Sequence, residues 1–140
     1  MPAAAVIAYF VRNPRKLFLI DACGAALTAF FIGIAMPALP QWFNVPVKLL
    51  YALSGIAVLF ALYSAVCYAV LRSGFGPYLL AIGCANLVYC MATAAVLTTH
   101  FSQFSVYSSI YFMLEVIVIM LLVYIELMVY GELRNQSTAK

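Results

Sequence analysis

Four long apolar segments constrain the fold of this chain more than any other feature. They run over about residues 17–36, 47–71, 77–99 and 106–130, and each reaches the roughly 20 apolar residues that a helix needs to cross a bilayer. Hydrophobic residues make up 68% of the chain and charged residues only 8%, whereas soluble domains are about half apolar and about a quarter charged. The segments therefore predict an integral membrane protein with four spans.

Short connections predict how these spans are arranged. Proline and glycine interrupt the chain between the apolar segments, in MPALPQ, FNVP and SGFGP, and the polar tail ELRNQSTAK follows Gly131. The connections have only about ten, five and six residues, and connections this short place consecutive helices antiparallel to each other. The predicted fold class is all-α, an antiparallel four-helix bundle in which residues 1–140 form a single membrane domain.

The basic residues are distributed unequally between the two sides of such a bundle. One side would hold only Lys48, and the other would hold Arg12, Arg15, Lys16, Arg72, Arg134 and Lys140. Since the side rich in lysine and arginine faces the cytoplasm, both termini are predicted to be cytoplasmic, in a multi-pass protein of the bacterial inner membrane. Residues 1–13 are predicted to form an interfacial segment, with anionic headgroups near Arg12, Arg15 and Lys16.

Three of the four acidic residues fall inside predicted spans: Asp21, Glu115 and Glu126. A carboxylate near the membrane centre costs about 2.5 to 3.5 kcal/mol on insertion scales. Glu115 and Glu126 are 11 residues apart, which is about 20° more than three full helical turns, so both lie on one face about 16 Å apart. Intramembrane acids that share a face indicate a functional site.

Polar and small side chains on the other spans are expected to face these acids. Asn86 lies near the middle of the third span, in a stripe of small and polar residues at helical spacing: Gly83, Asn86, Cys90 and Thr93. In the first span, Gly24, Ala25 and Thr28 lie on the side of Asp21, and small residues allow helices to approach each other closely. The stripes therefore predict a polar interior.

Counting residues from the predicted span ends places these groups in two layers. The middle layer would hold Glu115 and Asn86, with a protonated Glu115 donating a hydrogen bond to the Asn86 amide oxygen. The inner layer would hold Asp21 and Glu126, near the cytoplasmic ends of their spans. With the tyrosines at similar depths, the predicted ligand- or proton-binding residues are Asp21, Tyr63, Asn86, Tyr89, Tyr111, Glu115 and Glu126.

Several kinds of chemistry lack the residues that they require. The four cysteines contain no C-x-x-C pair, which argues against a disulfide framework or a zinc site. The single histidine, His100, lies in or near a predicted outer loop, and no Glu-x-x-His pair occurs, so neither haem ligation nor a carboxylate metal centre is expected. The basic residues are scattered, which argues against nucleic-acid binding. We predict no cofactor and no metal, and the sequence leaves enzymatic activity open while favouring a non-catalytic protein.

Three groups of small membrane proteins share features with this chain. It resembles the four-helix quinone-linked disulfide enzymes in size only, because their paired cysteines are missing. It resembles small multidrug exporters in its four spans and in the acid of its first span, Asp21, but lacks their surrounding motif. The whole chain looks like small uncharacterised four-span proteins of bacterial inner membranes, through NPRKLFLID near the start and YFMLEVIVI and YIEL near the end. That last resemblance implies no activity.

Two functions are compatible with these patterns. In the first, an intramembrane site opens mainly to the cytoplasm, with Asp21 and Glu126 at its mouth and Glu115 and Asn86 at its floor. Its ligand would be a cation, a proton-coupled solute or a small amphiphile, and transport by so short a chain would require a homodimer. In the alternative, the protein is a non-catalytic membrane assembly or scaffold protein, whose buried polar groups only pair helices or subunits.

Overall fold

A computed structural model describes residues 2–100 and 102–138, and every regular element in these ranges is a helix. We number the helices α1 (Pro2–Arg12), α2 (Pro14–Ala38), α3 (Val47–Val70), α4 (Gly76–Thr99) and α5 (Val106–Thr138). The predicted all-α architecture with four long apolar helices is confirmed. Residues 2–12 of the predicted interfacial segment form the short helix α1, which packs against α2 and α5.

Helices α2 to α5 are each long enough and apolar enough to cross a membrane, and their best windows have mean hydropathies between 1.9 and 2.5. Much of their apolar surface points away from the rest of the chain. The side chains of Leu27, Val70 and Val88, on three different helices, are 66%, 69% and 66% exposed. Because an extended apolar exterior is unfavourable in water, these helices indicate a multi-pass membrane protein.

Helix α2 begins before and ends after the predicted range of residues 17–36. Pro14 occupies its first turn, where the missing N–H is not needed for a helical hydrogen bond. The predicted end of the helix before Pro37 is wrong. Residues Phe31–Ala35 form a π-helical turn, in which the N–H of Met36 donates to the carbonyl of Phe31. The wider turn changes the hydrogen-bond register ahead of the proline, and a last α-helical turn then reaches Ala38.

Helix α5 also extends beyond its predicted end near residue 130. It continues to Thr138, and Gly131 keeps a helical backbone within it. Among the described residues, only Gly74 has the positive φ with which a glycine commonly ends a helix. The extension has packing partners, since Val129 and Leu133 join an apolar cluster with Phe10 of α1. Tertiary contacts thus favour the helix at a position where the sequence suggested a stop.

The four long helices pack as two pairs, which we call the first pair (α2 and α3) and the second pair (α4 and α5). The two backbones of each pair lie close together along much of their length, whereas the backbones of different pairs approach each other closely at few positions. In the first pair, Gly33 allows a close approach to Ser54, whose hydroxyl donates to the carbonyl of Ala29 at 2.9 Å. The loops also contribute, since Asn44 Nδ2 donates to the carbonyl of Gln103 at 2.9 Å.

Two apolar clusters lie towards opposite ends of the long helices. One contains Phe18 and Leu79 and extends to α1, and the other contains Ile32 and Phe112 and extends to the loop residue Phe104. Along each long helix, buried or partly buried polar residues lie between members of the two clusters: Asp21, Thr28, Ser64, Asn86 and Glu115. The candidate site is therefore a polar layer between two apolar ones.

Candidate functional site

Asp21 forms the best-connected polar group of the interior. Its side chain is only 3% exposed. The hydroxyl of Ser64 donates to Asp21 Oδ2, and the amide of Asn86 donates to Asp21 Oδ1 at 2.9 Å. These two bonds connect α2 to α3 and to α4, so Asp21 ties the first helix pair together and joins it to the second pair.

The structure corrects the predicted hydrogen bond between Glu115 and Asn86. Asp21 lies seven residues, about 10 Å, from the start of α2, and Asn86 lies ten residues, about 15 Å, from the start of α4 at the same end of the molecule. Depths can also be counted from the opposite end of the molecule. Glu115 then lies about 14 Å from the start of α5, whereas Asn86 lies about 20 Å and Tyr89 about 15 Å from the end of α4. Asn86 is thus closer in depth to Asp21, and Tyr89 is level with Glu115.

Glu115 is a partly hydrogen-bonded carboxyl group near the middle of the molecule. Its side chain is 7% exposed, and the hydroxyl of Tyr89 donates to its Oε1 at 3.2 Å. Its other oxygen, Oε2, is buried and has no hydrogen-bond partner among the described residues. Tyr111 lies one turn earlier on the same helix, and Thr28 of α2 lies beside both side chains.

A cavity of about 400 Å³ separates the two helix pairs at this level. Its lining is mostly apolar and comes from all four long helices. Two aromatic contacts form part of the wall: Phe31 stacks on Tyr111 with ring centroids 5.1 Å apart, and Phe60 meets Tyr89 edge to face at 6.0 Å. The polar side chains that line it are Asp21, Thr28, Asn86, Tyr89, Tyr111 and Glu115.

The cavity opens sideways, between α2 and α5, rather than at the end of the bundle. Leu27, Leu114 and Val118 line it and are 66%, 57% and 63% exposed on the apolar exterior. The predicted mouth formed by Asp21 and Glu126 is wrong, because these side chains are 3% and 0% exposed and offer no entrance. The opening lies where the backbones of the two pairs stay apart.

Glu126 and Tyr63 do not line this cavity, although the sequence placed them in the same site. Both carboxyl oxygens of Glu126 are buried without a hydrogen-bond partner among the described residues. Its carboxyl group packs against Gly83, where an added Cβ would be 3.4 Å from Oε2. Tyr63 instead donates a hydrogen bond to the carbonyl of Tyr78 at 3.3 Å. The structure therefore brings together five of the seven predicted residues: Asp21, Asn86, Tyr89, Tyr111 and Glu115.

The sequence analysis did not include Ser64 and Thr28 among the site residues. Ser64 lies six residues from the end of α3, and Asp21 lies seven residues from the start of α2, so counting depth on both helices would have matched them. Thr28 is two turns beyond Asp21 on α2 and lines the same cavity. Its position on the face of Asp21 was visible in the sequence, but its proximity to Glu115 depends on how the helices pack.

The side chains that line the cavity define what it can contact. In residues 2–100 and 102–138, no group of three or more His, Cys, Asp or Glu side chains is placed to hold a metal ion. The cavity can offer a carboxyl oxygen, phenol groups, aromatic faces and an apolar wall. Comparisons of the chain with models of protein families, with curated proteins and with solved structures find no match.

Proposed function

We propose that this chain is an integral membrane protein that binds a small amphiphile in the cavity between its two helix pairs. The ligand would enter from the lipid through the opening between α2 and α5. Its polar head would contact Glu115, and its apolar part would lie along the wall of the cavity. This proposal selects the amphiphile from the three ligand classes that the sequence left open.

The buried Oε2 of Glu115 is the observation that carries the proposal. A buried polar atom without a partner costs about 1 to 3 kcal/mol, and nearly all such atoms in folded proteins are hydrogen-bonded. Glu115 Oε2 has no partner among the described residues and belongs to a side chain that lines the cavity. A ligand that forms a hydrogen bond with this oxygen would remove this penalty, and its binding energy would increase by the amount recovered.

The size and lining of the cavity favour a small molecule with an apolar body. Ligand sites commonly occupy about 300 to 1,000 Å³ and combine apolar walls with a few polar groups that fix orientation. The cavity of about 400 Å³ has this character. Its rim consists of Leu27, Leu114 and Val118, whose exposed side chains would contact acyl chains in a bilayer. Lipid is therefore the phase from which entry is easiest.

The proposed orientation is that of an antiparallel bundle with both termini in the cytoplasm. A groove of about 400 Å³ near the start of α2 is lined by four basic side chains, those of Arg12, Arg15, Lys16 and Arg72, and by no acidic one among the described residues. We place this groove at the cytoplasmic surface, where anionic headgroups would balance its charge. The positive-inside rule supports the same orientation.

Photolabelling tests the proposed binding site. The purified protein in lipid nanodiscs is illuminated with an octanol that carries a diazirine group, and the labelled peptides are identified by mass spectrometry. We expect saturable labelling near Tyr111 and Glu115 that an excess of plain 1-octanol prevents. Labelling that is unsaturable and spread evenly over the outward faces of the helices would contradict the proposal.

Two glycines provide a matched pair of variants for this experiment. An added Cβ would meet nothing within 4 Å at either Gly24 or Gly55, but only Gly24 lines the cavity. The Gly24→Trp substitution should fill the cavity and abolish the saturable labelling. The Gly55→Trp substitution makes the same chemical change on α3 outside the cavity, and it should leave the labelling intact.

A further inference from the structure

The charge balance of the cavity restricts the kind of ligand that it can accept. Two carboxyl groups line it, those of Asp21 and Glu115, and no lysine, arginine or histidine of the described residues does. Asp21 accepts hydrogen bonds on both oxygens, from Ser64 and Asn86. Glu115 receives a single bond, from Tyr89. An additional positive charge would therefore find its best position at Glu115.

We infer that the ligand is an organic ammonium ion with an apolar tail, and that its head binds Glu115 in exchange for a proton. This inference rests on the proposed function, because it uses the same cavity. An ionised carboxylate without a counter-charge is too costly to bury in an apolar interior. The empty site therefore holds a proton on Glu115, and an ammonium ion can supply the same positive charge.

The exchange leaves the net charge of the cavity unchanged. The ammonium ion enters with one positive charge, the O–H bond of Glu115 breaks, and the released proton passes to the solvent. The resulting carboxylate forms a charge-assisted hydrogen bond with the ammonium N–H, which is stronger than a bond between neutral groups. The other titratable groups that face Glu115 are Asp21, Tyr89, Cys90 and Tyr111, and none of them is a base that carries a positive charge.

The aromatic walls favour an organic cation over a metal ion. Ammonium groups are attracted to the faces of aromatic rings within about 6 Å, and the cavity has two aromatic pairs, Phe31 with Tyr111 and Phe60 with Tyr89. Hard divalent cations instead require about six to eight oxygen ligands. Both oxygens of Asp21 are already occupied by protein donors, so the cavity falls far short of that number.

A matched pair of probes tests the inference directly. Octylamine and 1-octanol have the same chain length, but octylamine is protonated at pH 7, as the amine of lysine is. Binding of each probe to the protein in nanodiscs is measured by calorimetry in phosphate and in Tris buffer, with empty nanodiscs as the blank. The dependence of the heat on the buffer gives the number of protons released. We expect about one proton per octylamine bound and none per octanol.

Two substitutions of the same type separate the role of Glu115 from general effects on the protein. Glu115→Gln should weaken octylamine binding about tenfold or more and abolish proton release. It should weaken octanol binding much less, because glutamine keeps a side-chain oxygen that can accept a hydrogen bond from an alcohol. Glu132→Gln makes the same change on the same helix at an exposed residue outside the cavity, and it should alter neither probe's binding. Circular dichroism of both variants checks that each is folded.

The possible results distinguish this inference from the proposed function. Equal affinity of the wild-type protein for the two probes, or octylamine binding without proton release, overturns the ammonium exchange but leaves amphiphile binding in place. If neither probe binds more strongly than to empty nanodiscs, both proposals fail. The comparison of probes on the wild-type protein needs no variant, so it decides the question even if Glu115→Gln does not fold.

Discussion

The hydrogen bond between Asn86 and Asp21 should stabilise the association of the two helix pairs. It joins α4 to α2 at 2.9 Å, and its two side chains are 4% and 3% exposed. Within the helices the two pairs otherwise meet mainly through the apolar side chains of the two clusters. We therefore consider the variants Asn86→Ala and Asp21→Ala and the double variant that combines them.

The expected magnitudes follow from the partners that each change leaves behind. Asn86→Ala removes one interhelical bond, and such bonds in membrane proteins contribute about 0.6 to 2 kcal/mol. Asp21→Ala also leaves the fully buried hydroxyl of Ser64 without its acceptor, which adds about 1 to 3 kcal/mol. Because the two single changes both remove the same bond, the double variant should lose about 1 kcal/mol less than the sum of the single losses.

Unfolding of the protein in mixed micelles by sodium dodecyl sulfate, followed by circular dichroism, measures these free energies. As a control for additivity, Asp21→Ala is combined with Ser108→Ala, a buried serine near the start of α5 and in the other apolar half of the molecule. That pair should be additive within about 0.5 kcal/mol. Equal additivity for Asp21 and Asn86 would refute the bond and, with it, the polar link between the helix pairs.

Two further predictions concern packing at single residues. Gly33→Ala should reduce stability by about 1 to 3 kcal/mol through overpacking, because its Cβ would overlap the hydroxyl of Ser54. Adding Ser54→Gly to this variant should recover most of the loss. The control Gly55→Ala should cost little, because the space beside Gly55 is open. Glu126→Met should raise stability by about 1 kcal/mol or more, because it removes two buried oxygens that lack partners. The same unfolding assay checks both predictions. If Glu126→Met instead lost as much stability as Asp21→Ala, the carboxyl group of Glu126 would have a partner and the prediction would be refuted.

The existence of the long helices was predictable because it depends on local sequence. An apolar run of about 20 residues specifies a helix whatever surrounds it, and each of the four runs corresponds to one helix. The ends were less accurate because they depend on tertiary contacts. Pro37 lies inside α2 because of a π-helical turn, and Gly131 lies inside α5, whose extension packs against α1.

The polar layer was partly predictable for a similar reason. Helical spacing identifies the residues that share a face, and Asp21, Asn86, Glu115 and Glu126 are all buried. Choosing hydrogen-bond partners requires depths accurate to about one turn, or about 5 Å. Helix α2 begins at Pro14 rather than at residue 17, which places Asp21 about one turn deeper than predicted. The hydrogen bond between Asp21 and Asn86 depends on that difference. Glu126 shares a face with Glu115 but lies about 16 Å further along the helix, and it does not line the cavity.

The two glycines of α2 show why a cavity is harder to predict than a helix. Small residues on the face of Asp21 suggested a close helix approach, yet Gly24 has nothing within 4 Å of an added Cβ and borders the cavity, whereas Gly33 is in close contact with Ser54. The sequence around a glycine does not reveal whether another helix fills the space that it leaves. That depends on how the helix pairs meet, and their backbones approach each other closely at few positions here. The volume beside Glu115 is therefore a property of the assembled pairs, and a substitution that changes how they meet should alter ligand binding without touching the carboxyl group.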